Sequence, residues 1–310
     1  MQSIDFVRIG RHESVHEEIK GHCFSGMNLS SIEEIKVKFD KVKVVAVTCL
    51  GITSPFLSGK KFDVCIIDEA GQTTLPVSLG PLMFASTFVL VGDHYQLPPL
   101  VQACMHASLS AEARENGMGI SLFCILSEAH PHAISPLQSQ YRMCESIMGL
   151  SNALVYGDRL RCGSPEVANA KLKFSRPNAS CSSWLKAVLN PGRPVIFVNT
   201  DLLPAFEARD HKTVNNPMEA YIIAEITDGL VNNGIEAKDI GIITPYNSQA
   251  NLIRHACIAS VETHTIDKYQ VPMLKLLIDK VDEQSGVMNM SKKDINHKAV
   301  LKRCSQIRSL

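Results

Sequence analysis

Short apolar runs recur along the first hundred residues, at 6–9, 44–49 (VVAVTC), 64–67 (VCII) and 88–91 (FVLV). Each is nearly continuous in hydrophobicity rather than alternating. That pattern predicts strands of a parallel sheet covered on both faces. Charged, amphipathic stretches at 15–20 and 31–41 predict helix or loop, and 76–84 predicts a helix between the third and fourth strands. Residues 102–119 are rich in Gly and Ala, and 121–129 predicts a further helix. A second cycle of strands is expected at 134–137, 195–199, 240–244 and 261–265. Asn216 is a fitting N-cap for a helix opened by Pro217 and running to about Val231, with Gly234 as its stop. Another helix is expected from Asn247. Strands alternating with helices are the α/β signature. Residues 157–190 are polar, hold the single Trp184, and read as an insertion.

In open parallel sheets, ligands bind at the carboxyl ends of strands, so the polar residues that follow each run carry the candidate chemistry. Asp68 and Glu69 follow the strand at 64–67. One carboxylate there suits a Mg²⁺ ion that bridges nucleotide phosphates and keeps most of its waters. Its neighbour can polarise an attacking water. A capping Asp-Glu pair at a helix start reads the same way. Gly92 and Asp93 follow the next strand, and Gln96 sits where an amide can sense a γ-phosphate. Two strand-end motifs in succession favour the nucleotide reading.

Gln140-Tyr141-Arg142-Met143 adds an arginine able to stabilise charge on a transferred phosphoryl group, and a tyrosine that either stacks on a base or packs. Thr244-Pro245-Tyr246-Asn247 and the run 261–270 supply strand-end donors of the kind that single-strand grooves use. Ordinary loop chemistry accounts for either equally well in isolation.

Composition narrows the partners. The 310 residues carry 31 Lys and Arg against 31 Asp and Glu, so no global field draws nucleic acid. The length fits about two domains. No run is long or apolar enough to span a bilayer, and the first ten residues lack the apolar core of a secretory signal. The ten cysteines are scattered without Cys-x-x-Cys or metal-ligand spacing. Reduced thiols in an intracellular protein are the expectation, with neither a disulfide framework nor a zinc site.

Taken in order, DEAGQ, GDHYQLPP, QYRM, NNPMEA, GIITPYNSQ and VETHTIDKYQ resemble the consecutive motifs of superfamily 1B helicases. Within that group the chain resembles the eukaryotic, plant-type DNA replication ATP-dependent helicase/nucleases, over nearly residues 1–270. The resemblance implies two RecA-like P-loop NTPase domains, both incomplete. The first spans 1–135 without its phosphate-loop part. The second spans 136–270 with the insertion near 157–190, and a tail follows at 271–310.

The resemblance also implies roles. Asp68 and Glu69 match the Mg²⁺-binding and water-activating acids, and Asp68 would hold the metal through water. Gln96 matches the γ-phosphate sensor and Arg142 the arginine finger. Tyr141, Glu219 and Asp93 match nucleotide-contacting positions. Thr48, Gly51, Pro245, Tyr246, Thr265 and Gln270 fall in motifs that line a single-strand track or couple it to ATP. The implied substrate is ATP with Mg²⁺. The implied partners are single-stranded, flap or forked DNA and the proteins of replication and repair, on chromosomes in the nucleus, with no membrane.

The departures are equally specific. No Gly-Lys-Ser/Thr phosphate loop occurs in the 310 residues. The nuclease domain and its iron–sulfur cysteines are expected outside them. Tyr269-Gln270 runs directly into Val271-Pro272, which resembles an internal deletion that removes the last arginine motif. The stretch 102–111 is longer than the family's loop. The motor portion of a DNA helicase/nuclease, incomplete as a catalyst by itself, is therefore expected. An RNA-surveillance helicase, a non-catalytic nucleic-acid-binding product and a splicing artefact are the alternatives.

Overall fold

The structure is a computed structural model that describes residues 5–11, 13, 15–24, 31–100, 119–176, 181–203, 208–210, 213–265 and 287–289. The chain divides into two compact units, Met1–Ile134 and Ser135–Leu310. Both are mixed α/β with parallel strand pairs, the RecA-like class.

In the first unit, β1 (Phe6–Ile9) pairs parallel with β2 (Val44–Val47), Phe6 lying opposite Val44 and Ile9 opposite Val47. The crossover carries α1 (Glu17–Lys20) and α2 (Ile32–Lys41). Ser31 opens α2 by accepting the Glu34 N–H at 3.1 Å. Glu33 and Glu34 in its first turn and Lys38 and Lys41 in its last complement the helix dipole. Lys38 also pairs with Asp5 at 3.0 Å, which ties the helix to the entrance of β1.

A second βαβ unit follows. β3 (Phe62–Ile67) and β4 (Ala85–Leu90) are parallel and joined through α3 (Leu75–Leu82). Then comes α4 (Leu122–Ala129), capped by Ser121, whose Oγ accepts the Cys124 N–H at 3.1 Å.

The second unit opens with β5 (Ser139–Gln140), α5 (Glu145–Ser151), one π-helical turn at Asn152–Tyr156, and β6 (Arg161–Cys162), which returns parallel to β5. The predicted strand at 134–137 does not form, and pairing begins only at Ser139. Pro136 lacks the N–H that a ladder needs.

Next are α6 (Pro165–Ala168), α7 (Ser183–Val188), β7 (Phe197–Asn199), and the antiparallel pair β8 (Ala208–Asp210) and β9 (Thr213–Asn215). Helix α8 (Pro217–Asn232) follows, and then β10 (Gly241–Thr244), α9 (Asn247–Ala256) and β11 (Glu262–Thr265). β12 (Val287–Asn289) pairs parallel with β7.

Helix α8 is the centre of this unit. One side packs Met218, Tyr221 and Ile222 on Trp184, Leu185, Leu189 and Leu203. The other buries Ala220 and Ala224 against Ile242, Ile253 and Ala256. Each large apolar side chain so buried contributes about 1.5–3 kcal/mol. The polar stretch around Trp184 thus supplies core residues through α7.

Among the described residues, one apolar face of the first unit has no cover. The β3–β4 register places Val64 opposite Thr87 and Ile66 opposite Val89, so these four share a face. Val64 is 48 %, Ile66 68 % and Val89 47 % exposed. The near-continuous hydrophobicity of these strands suits cover on both faces, and one face here has none among the described residues. Ile66→Thr keeps a β-branched side chain and should change stability by less than about 0.5 kcal/mol. It should also reduce self-association and binding of the dye ANS by the purified chain. A large loss of stability would show instead that this face is buried.

Candidate nucleotide and nucleic-acid sites

The parallel register of β3 and β4 sets Ile67 opposite Leu90, so Asp68-Glu69 and Gly92-Asp93 leave the sheet at one edge. The ladder continues past the strands: Val91 N–H donates to Ile67 O at 2.8 Å, and Ala70 N–H donates to Val91 O at 2.8 Å. The two loops then approach at backbone distance. A Cβ on Gly71 would stand 2.8 Å from Asp93 O, and one on Gly92 would stand 2.8 Å from Gly71 N. Both positions are therefore restricted to glycine by close approach.

Glu69 adopts φ 52° and ψ 36°, the left-handed region. A non-glycine residue held there costs on the order of 1–3 kcal/mol, a type of strain that clusters at functional sites. Gln72 Nε2 donates to Glu69 Oε2 at 3.0 Å, and the Thr73 hydroxyl donates to Glu69 O at 3.4 Å. Asp68 Oδ1 accepts the Glu69 N–H at 3.0 Å, and both acids are exposed. Neither carboxylate caps α3, whose N-cap residue is Thr74. The helix-cap alternative for this pair therefore finds no bond to support it.

Asp93 organises the second loop. Its Oδ1 accepts the Tyr95 N–H at 3.0 Å, and its Oδ2 accepts from Gln96 Nε2 at 3.1 Å. The Gln96 amide is thereby fixed on the edge that carries Asp68 and Glu69. Beneath them, burial and then the neighbouring Cys49 push the Cys65 thiol up, which keeps it protonated and unreactive. Among the described residues, no three His, Cys, Asp or Glu side chains converge as a metal set. A lone exposed carboxylate at Asp68 still fits Mg²⁺, which takes one or two carboxylates together with phosphates and water.

Thr48 and Gly51 lie at the end of β2, where the 3₁₀ turn Cys49–Thr53 begins. Gly51 N–H donates to Thr48 O at 2.8 Å, and Thr48 is exposed. These two residues belong to a separate strand pair of the first unit.

In the second unit, the Gln140 side chain folds the next loop. Its Oε1 accepts the N–H groups of Arg142 at 2.9 Å and Met143 at 2.7 Å, and its Nε2 donates to Met143 O at 2.7 Å. Tyr141 and Arg142 project from this loop exposed. Their base is fixed from the other strand, because Asn152 accepts the Leu160 N–H at 2.9 Å and donates to Leu160 O at 3.1 Å.

The β10–β11 register pairs Thr244 with Thr265, bringing Pro245, Tyr246 and Thr265 to a common edge. A buried amide joins this edge to the start of α8. Gln249, 5 % exposed, accepts the Asn216 N–H at 2.7 Å and donates to Asn216 O at 3.1 Å. Asn216 in turn accepts the N–H groups of Met218 at 3.0 Å and Glu219 at 3.2 Å. Tyr246, which precedes α9, and Glu219, in the first turn of α8, are thus linked through two side chains. Gln270 lies outside the described residues, as do the long stretch 102–111 and the 270/271 junction.

Two sequence comparisons bear on this arrangement. A family profile described as an AAA domain matches residues 118–276, and another with the same description matches 28–103. The chain belongs to this AAA-domain family, within the superfamily 1B helicases. The DNA replication ATP-dependent helicase/nuclease JHS1 of Arabidopsis thaliana is 57% identical over 349 residues, covering 95% of this chain and 26% of the relative. The DNA2 helicase/nuclease of Homo sapiens is 41% identical over 286 residues, with 86% and 26% covered. That of Saccharomyces cerevisiae is 34% identical over 303 residues, with 93% and 19% covered. The chain therefore spans about a quarter or less of the length of these relatives.

Sequence reasoning placed Asp68, Glu69, Gln96 and Arg142 in motifs but missed what holds them. Gly71 and Gly92 stand inside the DEAGQ and GDHYQLPP motifs, but the close approach that restricts them joins two loops about twenty residues apart, and Asn152 acts on Leu160 through its side chain. Gln249→Ala should strand both backbone groups of Asn216 and cost about 1–3 kcal/mol in chemical denaturation. Gly92→Ala should force the two strand-end loops apart while leaving far-UV circular dichroism unchanged. A Gly92→Ala crystal structure with the loops in place would contradict the close approach.

Proposed function

We propose that this chain is the motor portion of an ATP-dependent DNA helicase/nuclease of replication and repair, coupling ATP hydrolysis to movement on single-stranded DNA in the nucleus. The observation that carries this reading is the shared edge of β3 and β4, where Asp68, strained Glu69 and the Asp93-held Gln96 stand together. The names of the three relatives described above, each a DNA replication helicase/nuclease, support the same reading.

The roles are those that the resemblance to superfamily 1B helicases implies for these positions. Asp68 would hold Mg²⁺ and Glu69 would orient the attacking water, while Gln96 senses the γ-phosphate. Asp93 contacts the nucleotide and also supports Gln96. Arg142 supplies the arginine finger, and Tyr141 and Glu219 contact the nucleotide. Thr48, Gly51, Pro245, Tyr246, Thr265 and Gln270 contact single-stranded or flap DNA. The motor domains are 1–135 and 136–270, the latter with its insertion near 157–190. The tail 271–310 follows an internal deletion. Alignment with the Arabidopsis relative over 349 residues, against the 310 of this chain, supports that deletion. An iron–sulfur cluster belongs to a nuclease domain outside these residues.

Phosphoryl transfer depends on positioning and electrostatics. A phosphate loop contributes backbone donors, a lysine and a Mg²⁺-binding hydroxyl, and residues 1–310 contain no such motif. Purified 1–310 should therefore show negligible DNA-stimulated ATPase. In a longer polypeptide that includes the phosphate loop, Glu69→Gln should lower turnover by about 10²- to 10⁴-fold and leave single-strand binding intact. Robust turnover by 1–310, lost in Glu69→Gln, would overturn the requirement for the loop. Full activity of the longer Glu69→Gln variant would overturn the assignment of Glu69.

A further inference from the structure

The Tyr141 ring rests on a glycine twenty-two residues further along the chain. A Cβ built on Gly163 would stand 2.2 Å from Tyr141 Cζ, 2.3 Å from Cε1 and 2.6 Å from Cε2. Three ring carbons at such similar distances put the vacant side-chain position over the ring face, not beyond its edge. The opposite face is open, since Tyr141 is 69 % exposed.

Nothing in the backbone demands glycine there, because Gly163 lies outside the left-handed region. What position 163 supplies is space. The floor under the ring is also fixed. Gly163 N–H donates to Gln140 O at 2.8 Å, and Arg161 N–H donates to Gln138 O at 2.8 Å. Asn152 brackets Leu160 just upstream. The ring leaves the chain one residue after Gln140, whose side chain fixes the loop from within.

We propose that Gly163 is a positioning residue for nucleotide binding. By carrying no side chain, it lets the Tyr141 ring lie flat on β6, so that the outer ring face stacks on the base of the bound nucleotide. This rests on the nucleotide reading of Tyr141 given above. Carbon–carbon contact needs about 3.5–4.0 Å, so an alanine at 163 must displace the ring by more than about 1 Å. The displaced atoms are the free end of an exposed side chain, so the ring swings outward and the fold is unharmed. Stacking is sensitive to such a shift, whereas stability is not.

The test is nuclear magnetic resonance on a selectively labelled longer polypeptide that includes the phosphate loop, with Mg²⁺-ATP as the probe. Without ligand, the Gly163 Hα resonances should be shifted upfield by the Tyr141 ring and relax in Tyr141→Leu. Gly163→Ala should move the Tyr141 ring resonances at an unchanged melting temperature. With ATP, Gly163→Ala should weaken binding about tenfold, within the range of base stacking on an aromatic ring. It should have no further effect in a Tyr141→Ala background. Unmoved Tyr141 resonances in Gly163→Ala, or an equal loss of affinity with and without Tyr141, would overturn the positioning role. Native Tyr141 resonances that ignore saturating ATP would instead overturn the nucleotide reading, and the role of Gly163 with it.

Discussion

Parallel pairing between β3 and β4 is the constraint on which the candidate nucleotide edge depends. Because Ile67 stands opposite Leu90, both strands deliver their polar residues to the same end. Ala70 and Val91 then extend the ladder by one bond beyond each strand. That extension forces the two loops into backbone contact, which excludes side chains at Gly71 and Gly92. It also holds Glu69 in a left-handed conformation that an isolated loop would leave. A one-residue slip of register would turn Asp68 and Asp93 away from each other.

The second unit solves the same problem with amides rather than a long ladder. Its strands are two to four residues long, too short to fix loops by pairing alone. Gln140, Asn152 and Gln249 each donate to and accept from backbone groups. Each satisfies groups that would otherwise be costly to bury. Because such a bracket is two-point, it sets orientation as well as position. Gln249 does so between a candidate DNA-contacting loop and a candidate nucleotide-contacting helix. The first turn of α9, which follows Tyr246, is thus tied by hydrogen bonds to the first turn of α8, which holds Glu219.

Two clusters of buried apolar residues form around α8 and its neighbours. The first unit instead leaves Val64, Ile66 and Val89 between 47 % and 68 % exposed. Folding stability is a small difference between large terms, so these two arrangements weigh differently. The second unit has a centred core that can hold its short strands. The first buries a smaller set that includes Val7, Phe39, Leu57 and Ile67, beside its strand pairing and helix caps such as Ser31 and Ser121, and a face uncovered among the described residues is a site for association.

The sequence by itself determined the α/β class, most strand and helix positions, and the motif residues from Asp68 to Thr265. Periodicity, caps and strand-end polarity are local signals, and local signals can be read in order along a chain. It misplaced the strand expected at 134–137, because its apolar residues outweighed the missing donor of Pro136. The polarity of the segment around Trp184 gave no sign that α7 carries Trp184 and Leu185 into the core. Only the tertiary structure decided which side chains hold the motifs: Asp93 on Gln96, Gln249 on Asn216, and Gly163 beneath Tyr141. The latter two contacts join residues 33 and 22 positions apart. Their partners are chosen by strand register and helix packing, which no local pattern of polar and apolar residues encodes.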